Sequence, residues 1–273
     1  MALNLGNALE FGISGFKDKK ARTLFFYMLA INIIAGLVIG FLFAPFLNID
    51  TTGELGFEII MQAIYAIGIS MIVLSIASLL GLFLGAKILI VALEKIKVKP
   101  KKLTLMKFVR LLLLYVAGFI VAGLSLFRPK YLLVLVASVV LIALGVIQTN
   151  YFLLALGVIA SLGYLIVFTY NSLRIAFGEA IFLSREKGII ESLKESDNKT
   201  KGKLIELFIA LIIINFISWV ISAVFEAVGS SIVSLPDLYP VSVVFSLAAW
   251  PIITIIGSFY YVELFRALLK PKK

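Results

Sequence analysis

The chain has 273 residues, 62% of them hydrophobic, and a formal net charge of +10. Its mean hydropathy is +1.12, and a soluble domain is nearer 45–50% apolar, so water is excluded as the solvent for most of it. Cysteine and histidine are both absent, which excludes disulfides, thiol nucleophiles, imidazole bases and nearly every zinc, copper, haem or iron–sulfur site.

Residues 2–16 carry Leu5, Leu9, Phe11, Ile13 and Phe16 at roughly helical spacing, followed by Lys17, Lys19, Lys20 and Arg22. This pattern predicts an interfacial helix leading into a first span over 23–47. No small-residue cleavage site follows the apolar run, so it reads as a retained span and not a signal peptide. The loop Asn48–Glu58 holds Asp50, Glu54 and Glu58 and no base. The next apolar run, 59–93, would be about 52 Å long as one helix against about 30 Å of hydrocarbon. It reads either as a long tilted helix or as an interfacial piece followed by a span.

A basic segment with Lys95, Lys97, Lys99, Lys101 and Lys102 leads into a third span over 103–127, which carries Lys107 and Arg110 in its first turns. Tyr131–Val146 and Tyr151–Leu173 are both apolar and are separated by Gln148, Thr149 and Asn150. An amphipathic cytoplasmic segment is predicted over 174–203. Further spans cover 204–228 and 241–269, and in the last of them Pro251 removes a hydrogen bond to the Leu247 carbonyl. No linker or soluble domain interrupts the chain, so one integral membrane domain, 1–273, is the economical reading.

Charge decides the number of crossings. With six spans (23–47, 59–93, 103–127, 151–173, 204–228 and 241–269), only Arg128 and Lys130 lie outside and Lys87 sits within span two. Every other base is then cytoplasmic, as are both termini. Seven spans would expel the last two basic groups, against the positive-inside rule. Tyr131–Val146 is accordingly expected to lie along, or dip into, the outer face, with a full crossing as the competing arrangement. The fold class is thus an all-α transmembrane bundle of about six spans with amphipathic interfacial helices. The bases flank hydrophobic runs instead of forming one stripe, so no nucleic-acid partner is expected.

Candidate chemistry is sparse. Asp18, Asp50, Asp197 and Asp237 all fall in loops or flanks, so no intramembrane aspartyl pair exists, and neither a cofactor nor a metal is implied. A Ser78–Lys87 dyad is formally open; against it, Lys87 can snorkel to the inner interface or pair with a carboxylate. Glu179, Glu206 and Glu263 lie near inner helix ends, with Lys107, Arg110, Arg174 and Arg266 at similar depth. They make either an ion-pair ring around a cavity or simple helix-end anchors, with Glu263–Arg266 as an i,i+3 pair.

Small and polar residues share one helix face at Asn32, Gly36 and Gly40, at Ser78, Gly81 and Gly85, at Gly157, Ser161, Tyr164 and Asn171, and at Asn215, Ser218 and Ser222. They read as close helix packing in preference to a polar pathway, and the two Gly-x-x-x-Gly pairs are weak dimerisation signals.

The segment Gly188–Gly202 carries Gly188, Glu191, Leu193, Lys194, Ser196, Thr200, Lys201 and Gly202. It resembles a pattern in the membrane domain found with some glycerophosphodiester phosphodiesterases and in related archaeal domains of unknown function. Ser192 stands where that pattern has alanine, and Asp197 where it has an aromatic residue. Ala8, Phe11 and Phe16 near the start, and Tyr260, Tyr261, Glu263 and Arg266 near the end, are loosely similar as well. The resemblance implies a six-helix membrane domain with cytoplasmic interfacial helices and no assigned activity.

Read from its own residues, the motif gives Ser196 or Asp197 as a helix cap, Gly202 as a breaker, and Lys194, Lys199, Lys201 and Lys203 as contacts to anionic headgroups. Lack of cysteine, little glutamine and abundant Ile and Lys point to a thermophilic prokaryote. The expected role is a non-enzymatic cell-membrane protein, transport-like, lipid-interacting or accessory to a membrane complex. Its partners would be anionic lipids and a second copy or another membrane protein. An intramembrane enzyme acting on lipid or peptide, or a passive channel, is the alternative.

Overall fold

The computed structural model describes residues 4–46, 57–100, 102–124, 126, 129–185, 187–233 and 238–269. The acidic loop with Asp50 and Glu54, Lys101, Arg128, the loop around Pro236 and Asp237, and the tail with Lys270, Lys272 and Lys273 lie outside the described residues. Within them, all regular structure is helical.

Local chemistry starts several of these helices. Asn4 accepts the Asn7 N–H at 3.0 Å to open α1 (Leu5–Ser14), and Asp18 accepts the Ala21 N–H at 3.0 Å to open α2 (Lys19–Phe43). The apolar run after the acidic loop forms one unbroken helix, α3 (Phe57–Lys95), of 39 residues, or about 58 Å; the long-helix alternative is the one adopted. Then come α4 (Leu105–Leu124), α5 (Pro129–Ile147), α6 (Tyr151–Arg174), α7 (Gly178–Ser184), α8 (Ile189–Thr200), α9 (Leu204–Val233) and α10 (Tyr239–Leu269).

Six stretches are long and apolar enough to cross a membrane: Lys19–Phe46, Phe57–Lys95, Leu105–Leu124, Tyr151–Ser184, Leu204–Ile232 and Tyr239–Leu269. In their most apolar windows only 6 to 33% of residues are buried within the protein. Phe26, Phe41, Met71, Phe119, Ile159 and Trp219 all face outward, an apolar exposure far beyond that of soluble monomers. Lipid is the solvent that accommodates it. The chain is an all-α, multi-pass membrane protein.

Contacts divide the chain into two compact units, residues 1–99 with 210–267 and residues 100–209 with 268–273. In the first, α10 is the hub. Gly36 and Gly40 of α2 face Val244 and Pro240, Gly81 of α3 faces Trp250, and Gly12 of α1 faces Ile256 and Tyr260. A Cβ on Gly36 would stand 2.9 Å from the Val244 Cα, so the stripe permits a backbone approach that any larger residue would block. The Asn32, Gly36, Gly40 stripe, read from sequence as packing, is buried inside this unit.

In the second unit, α5 and α6 form an antiparallel hairpin. Thr149 turns the chain at φ +50°, and the Asn150 side chain accepts the N–H groups of Phe152 and Leu153 to start α6. Gly145 then lies against Leu154, and Gly157 against Ile142 and Ser138. The helix expected on the outer face is therefore packed lengthwise along α6.

Helix α4 buries Phe108, Leu111, Leu114, Gly118 and Ala122 on one face and exposes Leu105, Met106, Val109, Leu113, Val116 and Ile120 on the other. A Cβ on Gly118 would meet Ile175 at 3.4 Å and Leu193 of α8 at 3.9 Å. Further along, the Phe119 and Phe168 rings meet edge-on at 6.0 Å.

Candidate functional site at the α6–α8 junction

The end of a helix leaves carbonyls without intrahelical partners. At the end of α6, the motif in α8 supplies them. Ser196 Oγ donates to the Arg174 carbonyl at 3.1 Å and accepts the Phe177 N–H at 3.0 Å. Thr200 Oγ1 lies 3.0 Å from that same carbonyl and 3.0 Å from the Ser196 carbonyl, so one proton is shared between them. The Arg174 guanidinium grips Asp197 with both ends, Nε to Oδ1 at 2.6 Å and Nη2 to Oδ2 at 2.9 Å. Such a paired fork is directional as well as charged.

Below these contacts Leu193 is buried, with Gly178 making room for it. Gly188 opens α8 by donating its N–H to Glu191 Oε2 at 3.3 Å, and Gly202, at φ +78°, ends the turn after it. Glu195 gathers Arg185 at 2.6 Å, Lys187 at 2.7 Å and Lys199 at 3.9 Å. Burial pulls its carboxyl upward, but the Lys187 hydrogen bond and the surrounding cations outweigh that and hold it below the ordinary carboxylate range.

This explains most of the motif in physical terms and corrects one reading of it. Gly202 breaks the chain after α8 as expected. Ser196 and Asp197 do not cap their own helix; both fasten α8 to the end of α6. Among the lysines, Lys199 pairs with Glu195, Lys203 with Glu206 at 2.9 Å and Lys201 with the Asn198 side chain at 3.1 Å.

Lys194 instead lines a groove of about 670 Å³ between α4, α6 and α8. Its walls are Ala117, Val121, Ile166, Val167 and Ile190, and its polar end has Tyr170, Asn171, Arg174, Lys194 and Asp197. Tyr131, near the start of α5, opens onto the same groove. Beside it a smaller cavity of about 270 Å³ contains Ser172, Tyr115 and Glu179, and the Tyr115 hydroxyl hydrogen-bonds the Glu179 carboxyl.

Lys87, Glu206 and Glu263 have local partners, while Lys107 and Arg110 line a separate cavity at the start of α4. Lys87 rests over the Phe83 ring at 4.5 Å. Ser78 and Lys87 lie on one continuous helix, so nine residues separate them by about 13 Å of rise and half a turn; they are not brought together as a dyad. Glu263 and Arg266 form the expected i,i+3 pair at 3.2 Å, and Glu206 takes Lys203. Sequence reasoning missed the Arg174–Asp197 and Tyr115–Glu179 contacts, whose members lie 23 and 64 positions apart, beyond any periodic signal.

No family model, curated protein or solved structure matches the chain.

Proposed function

We propose that this multi-pass protein is a lipid-interacting protein of the cell membrane, which seats the chain of an amphiphile in the α4–α6–α8 groove with the headgroup at Lys194. The observation that carries this reading is the groove's division. Its walls are aliphatic, with Val121, Ile166 and Ile190 exposed at 48%, 65% and 66%, and so open to lipid. Its end offers an ammonium, a phenol and an amide beside the internally neutralised Arg174–Asp197 pair. A lysine at an anionic leaflet surface contributes about 1 kcal/mol of attraction. The family resemblance, which implies no activity, is compatible with this role.

The same packing supports a cytoplasmic location for both termini and a revised set of crossings. Helix α8, with Glu191, Lys194, Glu195, Asp197 and Lys199, is too polar for hydrocarbon and fits an interface. Gly118, packed on its Leu193, lies about 20 Å along α4 from its start and about 9 Å from its end. A transverse α4 would carry that region deep into hydrocarbon, away from such a neighbour. An α4 lying in the inner interface turns Leu105, Val109 and Val116 to lipid and its buried face to α7 and α8.

The hairpin partner α5 then supplies the crossing. Its 19 residues span about 28 Å, with no charge after Lys130. Tyr131 shares a groove with Arg174 and Lys194, which favours the same leaflet for the start of α5 and for α8. The crossings remain six, α2, α3, α5, α6, α9 and α10, and Arg128 and Lys130 join the cytoplasmic bases. The positive-inside bias becomes more complete than with α4 as a span.

Native mass spectrometry of lipid retained by the purified protein tests the groove. Val121→Trp and Ile166→Trp, which fill it, are expected to lose a lipid that the parent protein and Lys20→Gln retain. Equal retention in all four overturns the groove reading.

A further inference from the structure

A further cavity, of about 450 Å³, lies between the start of α4 and the turn from α7 into α8. It is lined by Lys102, Thr104, Lys107, Arg110, Arg185 and Lys187, with Met106, Phe182 and Gly188 completing the wall. None of these lining residues is acidic. Five cations around one concavity repel each other unless an anion sits among them, and the fold holds two of them in place. Glu195, whose side chain is only 14% exposed, fixes Arg185 at 2.6 Å and Lys187 at 2.7 Å from outside the cavity wall.

That single carboxylate also receives Lys199, so among the described residues one negative charge serves Arg185, Lys187 and Lys199 together. Arg110 and Lys102 have no ion-pair partner among the described residues. Thr104 adds a neutral donor. Its Oγ1 accepts the Lys107 N–H at 3.3 Å, which leaves the hydroxyl proton to point elsewhere.

We propose that this cavity is a binding site for a phosphate-bearing anion, held by Arg110, Lys102 and Lys107 from one side and by the Glu195-anchored Arg185 and Lys187 from the other. The chemistry fits a dianionic phosphate. A planar guanidinium takes two oxygens, while ammonium groups and a hydroxyl take the rest. The phosphate belongs either to a phospholipid headgroup or to a soluble phosphate ester; both present the same oxygens. Diffuse attraction of basic residues to an anionic leaflet needs no cavity and no anchored side chains. The site shares no lining residue with the α4–α6–α8 groove, so the two readings stand or fall separately.

The test uses the full chain in phosphatidylcholine nanodiscs. Inorganic pyrophosphate is titrated calorimetrically, and in a parallel arm phosphatidic acid is added to the discs and its retention is read by native mass spectrometry. The parent protein is expected to bind at least one probe, and Arg110→Gln with Lys102→Gln to weaken that binding at least tenfold. Both side chains are exposed, so the double variant should fold, and retained helicity checks that it does. Lys20→Gln, exposed and lining neither site, is expected to leave this binding unchanged. Tight pyrophosphate with indifferent phosphatidic acid identifies a soluble ligand, and the reverse identifies a headgroup. The proposal is overturned if neither probe binds, or if Lys20→Gln weakens binding as much as the double variant does.

Discussion

The side-chain amide of Asn32 in α2 donates to the carbonyl of Leu247 in α10 at 3.0 Å. That carbonyl is the one Pro251, four residues later and lacking an N–H, leaves without its helical partner. In lipid such a group has no water to turn to. The polar member of the Asn32, Gly36, Gly40 stripe therefore mends the helix that the two glycines allow α2 to approach.

Asn32→Leu is expected to destabilise the protein by about 1–2 kcal/mol, the range for an interhelical bond in a bilayer plus an orphaned acceptor. In a Pro251→Ala background, where residue 251 can serve Leu247 itself, the same change should cost much less. A double-mutant cycle on thermal or denaturant unfolding in detergent measures the difference. Equal costs in both backgrounds would mean the amide and the proline are not coupled.

The α6–α8 junction should be sensitive to small polar changes. Ser196→Ala leaves the Phe177 N–H without its acceptor at a buried position, and the expected loss is about 1–3 kcal/mol. Ser192→Ala, nearby on α8 and the residue the resembling pattern carries there, should be close to neutral. Limited proteolysis in the α7–α8 segment reports both; equal susceptibility of the two variants would remove Ser196 from this role.

Acid should loosen the first unit through Asp18. Its carboxylate caps α2 and meets Lys95 Nζ, at the end of α3, at 2.9 Å. Burial raises its pKa, but the Lys95 hydrogen bond, the Ala21 N–H and the Lys95 charge outweigh that and hold it below the ordinary 3.8. A group depressed in the folded state contributes stability that is fully present above the unfolded value and is lost as pH falls through the folded one. The melting temperature should thus fall as pH drops below about 4, and Asp18→Asn should flatten that part of the profile. An unchanged profile in the variant would show that the pair adds nothing.

Much of the helical content is legible in the residues. Uninterrupted apolar runs mark the long helices, Pro251 identifies its own missing bond, and Glu263 with Arg266 is a pair that helical spacing alone predicts. The Gln148–Asn150 break is equally legible as a polar interruption between two apolar runs. What local pattern does not carry is the choice of neighbour. Nothing in Tyr131–Val146 tells a helix that lies across a face from one that packs along α6, because both need the same apolar surface. The steric cue is Gly145 against Leu154 and Gly157 against Ile142, visible only once the two helices are paired. Arg174 and Asp197 are likewise a long-range pair, each unremarkable in its own segment.

The arrangement of α4 and α5 is tested most directly by single-cysteine labelling, which the absence of native cysteine makes clean. Lys130→Cys and Thr149→Cys are each exposed to a membrane-impermeant maleimide in intact cells and again after permeabilisation. With α5 crossing from a cytoplasmic start, Thr149→Cys should label in intact cells and Lys130→Cys only after permeabilisation. Labelling of Lys130→Cys from outside intact cells would contradict this arrangement and return α4 to the set of crossings.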